Sequence, residues 1–410
     1  MAGPLQGIRV LDLTTVVMGP YACQLMGDYG ADVIKVEPPD GDVMRLSGPM
    51  KNPGMGHLFM STNRSKRSVV IDLKTQEGRE LLLRLAARAD VLLYNIRPQA
   101  MARLGLAYED LRAVNPRLVY VGAFGFSQRG PYGARPAYDD LIQGMSGIPW
   151  LSVKAGSPEP RYAPVILADR IVGVQVAFAA MAALRHRDLS GEGQRVDVPM
   201  FESLLTIVLG EHLAGAMFEP PVGEVGYQRS LAHNRRPHRT RDGYICTLVY
   251  TDKHWRSFFA AIGQPGVFEN DKRFSSQNER LAHIDEVYGY LAGVLATRTT
   301  AEWMGILTEA DIPVARMNSL EDVLIDEHLL AINYFRTVEH PSEGPIRDIA
   351  IPTEWSVSSP EVSRHAPALG EHTIEVLKEV GFEAEGIAEL LEKKIIRAAK
   401  ARASGKEPHG

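Results

Sequence analysis

Continuous apolar runs alternate with helical periodicity through the first 125 residues. Residues 8–13 (IRVLDL), 32–37 (DVIKVE), 68–73 (SVVIDL), 90–94 (DVLLY) and 118–124 (LVYVGAF) are short runs rich in β-branched residues, and each predicts a buried strand. Between them, residues 19–29 form a small-residue helix broken by Gly30. Residues 77–89 carry leucines at 81, 82 and 85, the spacing of one helix face. Strands alternating with helices predict βαβ units around a mostly parallel sheet.

Beyond this region the texture changes. Residues 136–164 are rich in Gly and Pro, without a sustained period. Residues 169–186 predict a long apolar helix, 194–198 a short strand and 200–218 a second apolar helix. Residues 220–238 are irregular and basic, the pattern of a linker to a second region. From 242 to 330 short strands and helices are expected, and residues 346–351 look like a strand. Residues 373–380 and 385–394 predict two closing helices, and 397–410 a frayed polar tail.

No apolar run reaches the roughly 18–20 residues that span a bilayer. Residues 1–7 lack the charged and apolar parts of a signal peptide. Lys and Arg number 45 against 50 Asp and Glu, a net charge of -5 in 410 residues that argues against non-specific nucleic-acid binding. Two cysteines, Cys23 and Cys246, do not make a disulfide scaffold and fit a reducing cytoplasm.

An α/β start invites a nucleotide reading, and the motifs oppose it. The first strand-to-helix turn, Thr14-Thr15-Val16-Val17-Met18-Gly19-Pro20, lacks G-x-G-x-x-G, and Pro20 offers no N–H to a pyrophosphate. No phosphate loop of the form G-x-x-x-x-G-K-[ST] occurs. Gly125-Phe126-Ser127-Gln128-Arg129-Gly130 misses the nucleophile elbow by one residue. No H-E-x-x-H or paired Cys/His spacing supports a metal, and His233 and His238 are separated by Pro237.

One segment has a more specific shape. In Val165-Ile166-Leu167-Ala168-Asp169-Arg170-Ile171-Val172-Gly173 a carboxylate ends an apolar run and opens a long helix. Asp169 fits an N-cap that accepts backbone N–H bonds. The same geometry suits a carboxylate nucleophile whose charge and oxyanion the helix terminus stabilises.

The chain resembles the class III CoA-transferases, the CaiB/BaiF family that includes formyl-CoA and carnitine CoA-transferases. The likeness runs through "PLQGIRVLDLT…GPYACQLMGDYGADVIKVEPPDGD", "TNRSKRSVVIDLK", "DVLLYNIRPQAMARLGL", "NPRLVYVGAFGFSQRGPY", "AYDDLIQGMSG", "GEGQRVDVPMFESLL" and "APALGEHTIEVLKEVGF". The resemblance places the family's nucleophilic aspartate at Asp169, with its glycine four residues on at Gly173. It implies CoA transfer from an acyl-CoA to a free carboxylic acid through an aspartyl-CoA thioester, with CoA as substrate and no metal or permanently bound cofactor.

By the same resemblance, Val17 and Met18 lie beside the CoA. Leu73, Lys74 and Thr75 approach its adenine and phosphates. Asn95, Ile96 and Arg97 close the fourth strand, and Arg103 falls at a phosphate-contact position. Arg135, Ala137 and Tyr138 line the pantetheine, and Asp139 is the acidic residue near the nucleophile. Each of these cations fits a solvated side chain equally well.

Two departures bear on substrate. Val17 stands where the formyl-CoA and oxalate enzymes carry glutamine, and the glycine flap of those enzymes has no counterpart here. In its place residues 231–239 are basic, so Arg235 and Arg236 are candidates to hold the second carboxylate of a dicarboxylic acid such as succinate. In the related 2-methylacyl-CoA racemases a Gly-His-Asp stretch carries the base. This chain has Ala137-Tyr138-Asp139, and a tyrosine is a poor base at neutral pH. A racemase, or a CoA-binding subunit without activity, are the alternatives. The family architecture implies an interlocked homodimer, with a Rossmann-like large domain from 1–224 and 326–410 and a small α+β domain from 225–325. The expected partners are acyl-CoA, a carboxylic acid and a second copy of the chain, without nucleic acid or membrane, in the cytoplasm.

Overall fold

A computed structural model describes residues 3–399. Among them twelve strands are defined: β1 Arg9–Leu13, β2 Asp32–Glu37, β3 Lys66–Ile71, β4 Val91–Tyr94, β5 Val119–Phe124, β6 Arg195–Pro199, β7 His238–Arg239, β8 Tyr244–Thr247, β9 Val314–Arg316, β10 Phe335–His340, β11 Gly344–Ile349 and β12 Ile396–Arg397. The chain divides into two compact units. Among the described residues one comprises 3–142, 165–204 and 333–399, the other 143–164 and 205–332.

The larger unit is built on a seven-stranded sheet of order β12-β3-β2-β1-β4-β5-β6. Every pairing from β3 to β6 is parallel, and β12 alone runs antiparallel, against β3. The register sets Leu11 opposite both Ile34 and Leu92, so apolar side chains stack across the sheet. A parallel sheet covered on both faces requires such near-continuous apolar strands. One core joins Leu11, Ile34, Val69, Leu92 and Tyr120 to Val376, Leu377 and Leu390 of the closing helices.

The strands also carry charges that apolar periodicity does not predict. Asp12 pairs with Lys66 at 2.7 Å, Lys35 with Asp42 at 2.9 Å and Glu37 with Arg45 at 2.7 Å, all essentially without solvent contact. Buried charges persist only where such partners offset their lost hydration.

The Leu167–Ser190 helix is longer than the sequence pattern suggests and, with a mean hydropathy of 1.6 over its apolar part, is long and apolar enough to cross a membrane. This corrects the expectation that no apolar stretch reaches that length. Here the helix packs in a protein core: Ala168, Val172, Val176 and Ala180 are buried, and Arg187 near its end pairs with Asp90 at 2.5 Å. Gly173 lets it approach the Met18–Asp28 helix closely. A Cβ there would lie 2.9 Å from the Met18 carbonyl oxygen and 3.1 Å from the Tyr21 ring.

The smaller unit has its own aromatic core of Trp255, Phe258, Phe259, Phe274 and Trp303, beside the antiparallel sheet β7-β8-β9. It is more extensive than residues 225–325. Residues 143–164, read as irregular, contain the helix Ile148–Lys154, which lies near Gln228–Leu231. The 200–218 helix is divided: Met200–His212 is followed by a 3-10 turn at Ala214–Met217. Of the polar tail, Arg397 is paired in β12, and residues 400–410 lie outside the described residues.

Candidate active site

In an open parallel sheet, ligands bind beyond the carboxyl ends of the strands where the strand order reverses. Here that place lies between β1 and β4. A cavity of about 270 Å³ occupies it, lined by Thr15, Val16 and Met18 after β1, Asn95 and Arg97 after β4, the Phe124–Gly125 end of β5, and Asp169.

Asp169 is the third residue of its helix, whose N-cap is Ile166, a residue without a capping side chain. The N-cap reading of Asp169 therefore does not hold. The Asp169 N–H instead donates to the Asp139 carboxylate at 3.0 Å, and its own carboxylate lies toward the neighbouring helix. There the Met18 backbone N–H lies near it and lowers its pKa. Burial, and then the negative charge of Asp139, push the Asp169 carboxyl up to about 6, while the Met18 N–H and Arg170 act in the opposite direction. At neutral pH it is mostly ionised, poorly hydrated and held beside a donor, the state required of a carboxylate nucleophile.

The turn that presents Met18 is unusual. Val16 has φ of 74°, in the left-handed region that β-branched residues avoid. Such a conformation costs about 1–3 kcal/mol and persists only where its surroundings impose it. Asn95 supplies part of that constraint, accepting from the Thr15 N–H at 3.1 Å and donating to the Thr15 carbonyl at 2.9 Å.

The structure divides the sequence-expected ligand residues into groups. Met18, Asn95, Arg97, Arg135, Ala137 and Tyr138 line the cavity with Asp169. Tyr138 is 64% exposed, and the Arg135 guanidinium lies 3.9 Å above the Tyr132 ring. Asp139 meets Asp169 by accepting its backbone N–H. Val17 is buried at the N-cap of the Met18–Asp28 helix, and its neighbour Val16 faces the cavity in its place.

The remaining candidates are not among the cavity's lining residues. Leu73 and Ile96 pack against the core. Thr75 caps the Gln76–Ala86 helix by accepting the Gly78 N–H. Lys74 and Arg103 are both exposed. Arg235 and Arg236 belong to the smaller unit, where with His238 they line a separate cleft. Among the described residues neither has a carboxylate within 4 Å. Burial, with Arg236 nearby, holds His238 below the ordinary histidine range.

Sequence reasoning missed Thr15, Val16, Phe124, Gly125, Gln128 and Met200 as lining residues. The available signal was positional: Thr15, Val16, Phe124 and Gly125 lie at or just beyond the ends of β1 and β5. Among the described residues no group of three His, Cys, Asp or Glu gathers as a metal site. The arrangement offers a partly desolvated carboxylate in a cleft with two arginines suited to anionic groups, Arg97 and Arg135.

Residues 5–373 match the family model described as CoA-transferase family III. The chain is 35% identical to the succinate–glutarate CoA-transferase of Agrobacterium fabrum, over 92% of this chain and 96% of that protein. It is 32% identical to the alpha subunit of succinyl-CoA–L-malate CoA-transferase from Chloroflexus aurantiacus, over 96% and 92%. The crystal structure of a CaiB/BaiF family protein from Brucella suis superposes with a TM-score of 0.77 and 29% identity, covering 93% of this chain and all of that one.

Proposed function

The chain belongs to CoA-transferase family III, and from that membership we propose that it moves CoA from an acyl-CoA to a free carboxylic acid through a covalent Asp169–CoA thioester. The observation that carries this reading is the Asp169 carboxylate: partly desolvated, pushed up to about 6 by burial and Asp139, and set near the Met18 N–H in the cleft at the sheet's carboxyl edge.

In the first step an Asp169 carboxylate oxygen attacks the thioester carbonyl. The C–S bond breaks, and a mixed anhydride and CoA thiolate result. The thiolate attacks the aspartyl carbonyl carbon, the anhydride C–O bond breaks, and the donor acid leaves as its carboxylate. The acceptor carboxylate then attacks the aspartyl thioester, and the same two steps run in reverse. All three acyl groups derive from carboxylic acids, so their CoA thioesters are closely matched in energy, and no strong base is required. The Met18 N–H is placed to donate to the oxygen on which negative charge develops. Arg97 and Arg135 are placed to meet anionic parts of CoA, and the cavity wall at Ala137 and Tyr138 to flank its pantetheine.

For substrate, the reading assigns a dicarboxylate such as succinate as one partner, with Arg235 and Arg236 as candidate holders of its distal carboxylate. The names of the Agrobacterium and Chloroflexus relatives favour this class. The functional unit is read as a homodimer. Val174 and Phe178, 50% and 70% exposed on the Leu167–Ser190 helix, support a partner surface.

The test is mass spectrometry of the Asp169 peptide after incubation with succinyl-CoA, with and without hydroxylamine. An Asp169–CoA adduct, converted by hydroxylamine to the hydroxamate, is expected. An active enzyme that never carries label on Asp169 overturns the mechanism.

A further inference from the structure

Three consecutive residues between β1 and the Met18–Asp28 helix have their backbone polar groups held by side chains. Lys35 Nζ donates to the Thr14 carbonyl at 2.8 Å and pairs with Asp42 at 2.9 Å. Asp42 Oδ1 accepts the Val16 N–H at 3.3 Å and the Met44 N–H at 3.0 Å. Asn95 clamps both polar groups of Thr15. The side chains of Lys35 and Asp42 are 0% exposed, so neither can touch substrate. Thr15 lies between their two attachment points, the second of which is the N–H of the left-handed Val16, and two residues later comes the Met18 N–H, near Asp169.

A buried ion pair is an expensive way to stabilise a fold, because apolar residues of similar volume often serve as well or better. What it does supply is directional attachment. An ammonium and a carboxylate at fixed separation grip a carbonyl and an N–H two residues apart, and that fixes the peptide plane from which the positive φ of Val16 departs.

We propose that Lys35 and Asp42 are positioning residues for the reaction: together they hold residues 14–16 in the strained conformation that presents the Met18 N–H to the Asp169 carboxylate. Without the brace, Val16 relaxes to negative φ and the donor withdraws from the nucleophile. The proposal rests on Asp169 being that nucleophile. It adds that the charged residues of the "VIKVEPPDGD" segment act on catalysis through the turn, from behind the sheet edge, with no contact to CoA.

The test compares Lys35→Met with the same substitution carrying Val16→Gly, because glycine adopts positive φ without needing a brace. Two readouts are followed: the single-turnover rate of aspartyl-CoA formation, and the titration of the Asp169 carboxyl by NMR in the resting enzyme. Asp139 and Arg170, the charged groups facing that carboxyl, are untouched in each variant. Lys35→Met is expected to lower the rate roughly ten-fold or more, with KM for acyl-CoA changed less than about three-fold, as for a misplaced rather than missing group. The Asp169 titration moves to higher pH with loss of the Met18 donor. Adding Val16→Gly returns both toward wild type.

If Lys35→Met does not fold, the charge-balanced Lys35→Met/Asp42→Asn pair replaces it. In that pair the Tm recovers while the rate does not. Rate and Tm falling and recovering together, or a folded variant with wild-type rate and titration, overturns the proposal. A shifted titration with an unchanged rate leaves the brace standing and removes Asp169 as nucleophile.

Discussion

Replacing Asp169 with asparagine should make the protein more stable at neutral pH while it stops CoA transfer. The substitution keeps the shape of the side chain and an acceptor for the Met18 N–H, and it removes a charge that the site disfavours. A carboxyl moved from 3.8 to about 6 resists ionisation by roughly 3 kcal/mol, at about 1.4 kcal/mol per pH unit. Asp169 is only partly buried and water screens part of this, so a recoverable gain of roughly 1–2 kcal/mol is expected.

The sign follows from linkage. The folded-state value is raised, so between pH 3.8 and about 6 the native state binds the proton more tightly than the unfolded chain. The stability associated with this group is therefore fully present below pH 3.8 and lost as pH rises through 6. Asparagine has no such dependence. Thermal or urea unfolding of both proteins at equal concentration, from pH 3.5 to 8, should show Asp169→Asn gaining on the wild type as pH rises and levelling above pH 7. The Tm difference there should be a few degrees, on the order of 2–5 °C. A variant less stable than wild type at pH 8, or a difference that does not change with pH, refutes the claim that the active site holds a destabilised carboxylate.

Formation of the aspartyl-CoA thioester should lose about ten-fold in rate per pH unit below 6, because the protonated carboxyl does not attack; single-turnover rates flat down to pH 4.5 would contradict this. Gly173→Ala forces a methyl to 2.9 Å from the Met18 carbonyl oxygen and should lower stability by roughly 1–3 kcal/mol and slow transfer, read from Tm and kcat together. Arg235→Ala or Arg236→Ala should reduce kcat/KM for succinyl-CoA roughly ten-fold or more while sparing butyryl-CoA; equal losses on the two thioesters make the basic stretch a general element. Exhaustive chelation should leave activity intact, and activity restored only by a divalent ion would contradict a reaction carried by carboxylates alone.

Much of this protein follows from its sequence alone. The parallel strands and their helices come from local patterns of apolar residues, because a strand buried on both faces has to be apolar throughout. Asp32–Glu37 coincides with its prediction, and β1, β4, β5 and the two closing helices fall within a few residues of theirs. The likeness to CoA-transferase family III was likewise legible in motif order. Chain position did not reveal what surrounds those residues. Asp12, Lys35 and Lys66 interrupt apolar strands, and their partners lie 7 to 54 residues away in sequence, so only the folded sheet brings the opposite charges together. Asp169 reads as an N-cap in one dimension. The close packing at Gly173 brings it near the neighbouring helix and the Met18 N–H, with Asp139 accepting the backbone N–H that a cap would satisfy. The division of the chain at 143–164 and 205–332 escaped the sequence as well, since segments that are irregular by themselves acquire helices and a unit only through the side chains they pack against.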